Sequence, residues 1–310
     1  MSQTQPPEMP EISDLIVSFD PNTLRRQAVS KMEVRDQFLR LGNHFAAKIV
    51  ADLPDQNGIL DSESVDRLLI RVHGELQRMS EEFQHGRRVA ESLRPILETL
   101  RQGNFPKPLR IVDIGCGTGF VIRWLAAKGQ CGDDTELIGV DYNSALVQEA
   151  TRLASEEKLN CRFLTVNAFQ LKDPAILLIS TGVIHHFRGD DLVQFFRQHD
   201  QSSTLGFIHF DFQPSPLALP GAWLFHAVRM RLAISKHDGV LSALRAHSRE
   251  TLVEAARRGA PGFAIGVYGS RLGKLPIPRV FHSIFGIRPE LRESLMHSLG
   301  KRKGRLEWFS

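Results

Sequence analysis

The sequence predicts an α/β fold: a doubly wound, mostly parallel seven-stranded sheet, with an N-terminal helical extension and a helical lid insertion after strand 5. Three observations predict it. From about residue 109 onward, short apolar runs alternate with helical segments, the texture of a parallel sheet covered on both faces. The first of these runs, 110–114, ends directly in a glycine-rich turn. Before residue 104 the apolar residues recur only at helical spacing.

The elements follow in order. Residues 1–22 are rich in Pro, Ser and Gln and poor in periodic apolar residues, so they read as extended or disordered. Residues 23–103 read as three or four amphipathic helices. Asp61 and Ser62 are candidate N-caps. Beyond them Val65, Leu69, Val72, Leu76, Met79 and Phe83 form one stripe, and Val89, Leu93, Leu97 and Leu100 a second. Gly103, Pro106 and Pro108 stop the second helix.

The domain proper is expected over 104–288. Strands are predicted at 110–114, 137–140, 162–166, 175–179, 206–212, 263–268 and 280–287. Helices are predicted at 120–128, 144–157, after Asp190 and at 249–258, where Ser248 is the cap. The stretch 213–247 is too long for a plain connection and apolar enough for a helix, so it is read as a lid at the ligand-binding edge of the sheet. Residues 289–310 are expected to form a C-terminal helix and a basic tail.

Composition narrows the classes. Apolar residues make up 42% and charged residues 24% of the 310, which suits a globular chain with a real core. A formal net charge of +4 is too small for a protein that coats nucleic acid. The three cysteines, Cys116, Cys131 and Cys161, have neither a disulfide pattern nor zinc-ligand spacing. No metal site is expected. The first ten residues lack the basic and apolar regions of a signal peptide, and no run of apolar residues would span a bilayer, so a cytoplasmic location is expected.

The chemistry is concentrated in Asp113-Ile114-Gly115-Cys116-Gly117-Thr118-Gly119. It follows a predicted strand and opens a helix, the setting a ligand-binding glycine loop requires. The helix N-terminus offers unpaired N–H groups to a ligand carboxylate. The next strand ends in Asp141, 22 residues past Gly119, where a carboxylate can accept hydrogen bonds from a ribose diol. A dinucleotide site would place its third glycine at Phe120, and a phosphate-binding P-loop would need a Gly-Lys-Ser/Thr, which is absent. A cationic ligand without phosphates suits the acidic loop better.

On these residues, over roughly 109–212, the chain resembles the class I, Rossmann-like, S-adenosyl-L-methionine (SAM)-dependent methyltransferases, particularly the small-molecule group. The resemblance implies that Asp113, Gly115, Cys116, Gly117 and Gly119 line the methionine and ribose part of SAM. It implies that Asp141 holds the ribose hydroxyls and that Tyr142 flanks the adenine. Asn167-Ala168 resembles the adenine-edge pair, with an amide where the family often has an aspartate. The stretch 180–187 resembles the motif closing the fourth strand, whose first residues, Thr181 among them, contact the methionine end. More loosely, His237-Asp238-Gly239 with Ser242, Arg245 and Ala246 resembles natural-product and quinone-type members.

Methyl transfer needs an acceptor aligned with the donor, and a hydroxyl acceptor also needs a base. The candidate bases are His185, His186, Asp211 and His237. His44, His73, His85 and His282 have no supporting pattern. There is no Asn/Asp-Pro-Pro-Tyr/Phe loop and no Pro-Cys pair, so a nucleic-acid acceptor is not expected, and the basic run Lys301-Arg302-Lys303-Gly304-Arg305 reads as a solvated tail. The expected acceptor is a small, partly apolar metabolite methylated on oxygen or carbon. The insertion, with Arg229, Arg231 and Lys236 among apolar residues, also allows a lipid-like acceptor at a membrane surface. Two rivals stand: a non-catalytic SAM- or S-adenosylhomocysteine-binding regulator or scaffold, and a nicotinamide-dependent oxidoreductase.

Overall fold

A computed structural model describes residues 9–171, 175–201, 203–214, 218–269 and 281–309. Contacts divide the chain into two units, one of 1–76 with 217–244 and one of 77–216 with 245–310, the first boundary falling within the helix Ser62–Glu82.

The second unit is built on eight strands: β1 (Leu109–Ile114), β2 (Thr135–Asp141), β3 (Arg162–Thr165), β4 (Leu177–Thr181), β5 (Gly206–Phe212), β6 (Ala264–Tyr268), β7 (Phe281–Ile287) and β8 (Leu306–Phe309). Their spatial order is β8-β6-β7-β5-β4-β1-β2-β3. The five strands from β5 to β3 are parallel, and β7, β6 and β8 join antiparallel. The order reverses between β1 and β4, and a crevice opens outside the carboxyl ends of strands at such a switch point.

The sheet has eight strands against the seven expected, because the supposed basic tail ends in β8. Leu306 is buried there, and Trp308 packs on Phe285 and reaches Met296 through its indole N–H. A four-residue edge strand behind a lysine-rich turn carries too little pattern to be legible. The last strand is described from Phe281; position 280 lies outside the described residues.

Both faces of the sheet are covered. One core collects Val89, Leu93, Leu97 and Leu100 from the helix His85–Gln102, together with residues of Phe120–Lys128, Ser144–Glu156 and Arg292–Leu299. The other collects the apolar faces of Gly189–Gln201 and Arg249–Gly259. The helix His85–Gln102 therefore belongs to the sheet's own cover, rather than to an extension ending at 103. Its stripe residues are 0–1% exposed, and each such burial contributes about 1.5–3 kcal/mol.

In the first unit, Ser62–Glu82 starts as expected: the Asp61 carboxylate accepts from the Ser64 N–H at 2.8 Å. Two readings are corrected there. Residues 9–22 are not simply extended, since Ile12–Leu15 is helical and Ile12 and Ile16 are buried. Two apolar anchors suffice to dock a segment whose composition looks disordered. The stretch 23–103 is not purely helical either. Asp55–Gln56 and Ile59–Leu60 form a hairpin whose central residues, Asn57 and Gly58, both have positive φ, the arrangement of a tight primed turn. The insertion holds two helices, Ala218–Arg229 and Ala233–Leu244, instead of one.

Candidate functional site

The carboxyl ends of β1, β2, β4 and β5 supply the site. After β1 the chain turns through Gly115, Gly117 and Gly119, all at positive φ, into the helix Phe120–Lys128. A Cβ on Gly119 would sit 2.4 Å from Phe163, and one on Gly115 would sit 2.8 Å from Val183. Backbone conformation and packing thus both demand glycine at these two positions. The loop is tied down by backbone bonds from Cys116 N–H to the Val140 carbonyl (3.0 Å) and from Gly119 N–H to the Cys116 carbonyl (2.8 Å).

Sequence reasoning missed a second tie. Arg123, 5% exposed, donates to the Thr118 carbonyl (3.3 Å) and to Gln77 (2.7 Å) and pairs with Glu157. The available signal was a cation in the middle of the otherwise apolar run 120–127.

The electrostatics of this end are acidic. Asp113 is buried at the end of β1, and its Oδ1 has no hydrogen-bond partner among the described residues. Burial, helped by the charge of Asp141, pushes its carboxyl up to about 8. Asp141 Oδ2 accepts from the Gly117 N–H and Oδ1 from the Asn143 N–H, both at 2.9 Å. Burial still lifts the Asp141 carboxyl above the ordinary range, with the N–H groups of Asn143 and Gly117 opposing. Burial and the two carboxylates together raise the Cys116 thiol well above its usual value, so it stays protonated and unreactive. Among the described residues no side-chain cation offsets these two buried acids, a setting that favours a cationic group.

Around this pair stand the other expected contacts. Tyr142 is half exposed just past Asp141. Asn167 caps the short turn Ala168–Gln170 by accepting from the Phe169 N–H at 3.0 Å. Thr181 ends β4 with a buried hydroxyl that has no partner among the described residues, and the space beside Gly182 is open. Orphaned polar atoms beside open space, on a glycine loop and an acidic pair, fit a ligand with a cationic centre and several hydroxyls.

His185 and Asp211 are brought together across β4 and β5. The Asp211 carboxylate accepts from the His185 backbone N–H (3.0 Å) and lies 2.8 Å from its Nδ1, and both residues are buried. Burial works to raise the Asp211 carboxyl, but His185 and the N–H groups of Phe212 and His185 outweigh it and hold it below the ordinary range. This bond sets the ring so that Nδ1 carries the proton and Nε2 is the basic nitrogen. The His186 ring lies 4.3 Å from the His185 ring, centroid to centroid. The turn carrying both is braced by His247, whose Nε2 reaches the Phe187 carbonyl (2.9 Å), and by Arg188, which donates to the Arg245 carbonyl (2.6 Å). These braces lie about 60 residues away in sequence, too far for any local signal.

His237 belongs to the first unit. Its Nδ1 meets Asp238 and its Nε2 meets the Asn43 amide, both at 2.7 Å, with Phe38 and Phe45 alongside. Asp238 also caps the helix Ile12–Leu15 by accepting from the Ile12 and Ser13 N–H groups. Both ring nitrogens of His237 are therefore committed to packing.

Residues 111–202 match a family described as a methyltransferase domain. Among curated proteins, a 95-residue stretch is 36% identical to trans-aconitate 2-methyltransferase of Pseudomonas paraeruginosa, covering 30% of this chain and 32% of that one. A 106-residue stretch is 27% identical to the ribosomal RNA small subunit methyltransferase C of Alcanivorax borkumensis, covering 34% and 31%. The chain thus spans about a third of the length of these relatives. Among solved structures, the plantazolicin methyltransferase in complex with S-adenosylhomocysteine is similar with a TM-score of 0.51 at 11% identity, over 72% of this chain and 95% of that one, a likeness of fold.

Proposed function

We propose that this protein, whose residues 111–202 match a methyltransferase-domain family, transfers a methyl group from SAM to a small, partly apolar acceptor. The observation that carries the reading is the buried Asp113–Asp141 pair at the sheet's switch point, two acids under a glycine loop with no side-chain cation beside them among the described residues. SAM supplies a sulfonium-activated methyl group and a cationic ammonium, which such a pair favours.

In this reading Asp141 holds the ribose hydroxyls while its backbone bonds keep the Gly117 turn in place. Tyr142 covers one side of the adenine and Asn167-Ala168 meet its edge. Asp113, Gly115, Cys116, Gly117, Gly119 and Thr181 line the methionine end. His185, oriented by Asp211, takes the proton from a hydroxyl acceptor, and His186 shapes the approach beside it. His237 has no part in the chemistry. The relatives' names span acceptors as different as trans-aconitate and ribosomal RNA, and each match covers only about a third of this chain.

No helix among the described residues is long and apolar enough to cross a membrane. The test is to incubate the protein with methyl-labelled SAM and pooled metabolites, and to follow S-adenosylhomocysteine and labelled product by mass spectrometry. Production of both, lost in Asp141→Ala, supports transfer. SAM binding with no product from any pool would leave a SAM-binding regulator or scaffold in its place.

A further inference from the structure

At the far end of the helix that the glycine loop opens lies a second cleft, of about 490 Å³. Its walls come from three elements of the same unit. Arg87, Glu91 and Arg94 lie on one face of His85–Gln102, Trp124 and Lys128 on Phe120–Lys128, and Arg302 on the turn Gly300–Arg305. Along the axis of Phe120–Lys128, Trp124 lies about 7 Å and Lys128 about 13 Å from the glycine loop.

Four basic side chains face a single carboxylate there. Glu91 pairs with Arg87 at 3.0 Å. Arg94 has only a long bond to the Gln130 amide, Arg302 only one to the Glu91 carbonyl, and Lys128 no carboxylate partner among the described residues. Gathering like charges in one concavity is unfavourable unless an anion offsets them, and a concavity focuses the field on such a ligand. The volume is that of a small-molecule site rather than of a flat interface. Trp124 is part-buried, seated against Gly86, where an added Cβ would stand 2.4 Å from its ring; with Ala90 it gives the cleft an apolar wall. An indole flanked by guanidinium groups suits a flat ring joined to phosphates.

We propose that this cleft binds a nucleoside polyphosphate, its phosphates on Arg94, Lys128 and Arg302 and its base against Trp124. The site is separate from the SAM site, and its occupancy does not depend on the proposed methyl transfer.

The test titrates the full chain with ATP, by calorimetry and by tryptophan fluorescence, against the double variant Arg94→Glu/Lys128→Glu. Both positions are exposed, so folding is checked by thermal melting and by SAM titration, which the variant should leave unchanged. ATP is expected to bind the natural chain with a Kd of tens of micromolar at low salt, to weaken as salt rises, and to weaken at least about tenfold in the variant. Adenosine alone should bind far more weakly, and pyrophosphate should compete but bind less tightly than ATP. Equal ATP binding by both proteins, or none by either, overturns the proposal. Pyrophosphate binding as tightly as ATP overturns the nucleoside part. Sedimentation with phosphatidylglycerol vesicles that the variant abolishes, without ATP binding, would make the cleft a lipid-facing patch and overturn it as well.

Discussion

Two buried acidic groups stand at the carboxyl edge of the same sheet, and their electrostatics are opposite. At the β1–β2 end, Asp113 is raised by burial and by the charge of Asp141, Asp141 is raised by burial, and no side-chain cation among the described residues offsets either. At the β5 end, Asp211 is just as buried yet is held low, because His185 lies against it. In the proposed function this difference divides the tasks: an acid already paired with a histidine orients that histidine, and acids left without a cation receive a cationic ligand.

The comparison breaks most directly at Asp141. Asp141→Ala removes a carboxylate and frees the Gly117 N–H that it holds, so SAM affinity is expected to fall at least about 100-fold, measured by calorimetry with folding checked by circular dichroism. The β5 end should respond in turnover instead. His185→Gln is expected to lower kcat on a hydroxyl acceptor by about 10²–10⁴-fold with SAM affinity within about threefold, and Asp211→Asn by less. Equal losses in binding and turnover would erase the division of tasks.

pH sharpens the contrast. An Asp113 carboxyl pushed up to about 8 is largely protonated at neutral pH, while a bound cation favours its ionised form. SAM affinity should therefore rise with pH and level off above about 8, by at most about tenfold per pH unit, with proton release on binding. The check is titration in two buffers of different ionisation enthalpy, and Asp113→Asn should abolish the release. The same shift acts on folding. A carboxyl raised in the folded state contributes stability that is complete below its unfolded value of 3.8 and is lost as pH rises through about 8.

Smaller effects concern support. Gly119→Ala drives a Cβ into Phe163 at positive φ, and a loss of about 1–3 kcal/mol is expected in denaturant unfolding. His237→Asn should cost about 1–2 kcal/mol and leave SAM affinity unchanged, because its bonds to Asp238 and Asn43 are structural.

What was legible in the sequence was local. The strand, the three glycines and Asp141 lie within about 30 residues, and the backbone there has few ways to turn, so both the β1–β2 end and the doubly wound fold could be read. The His185–Asp211 pairing joins residues 26 apart on neighbouring strands, and only the sheet register brings them together. The bracing of the 184–187 turn by His247 and Arg188 is more distant still. His237 stands at the opposite extreme. Its neighbours in sequence resemble a motif, while its partners Asn43 and Phe38 lie some 200 residues away. The hairpin carried a readable Asn57-Gly58 turn between runs too short to show alternation.

The most direct test of the central claim is calorimetric titration of the full chain with SAM, alongside Asp141→Asn, which keeps the shape and removes the charge. The account predicts micromolar binding by the natural chain, lost in the variant. Binding of equal strength by both, or by neither, would contradict a cofactor site built on that buried acidic pair.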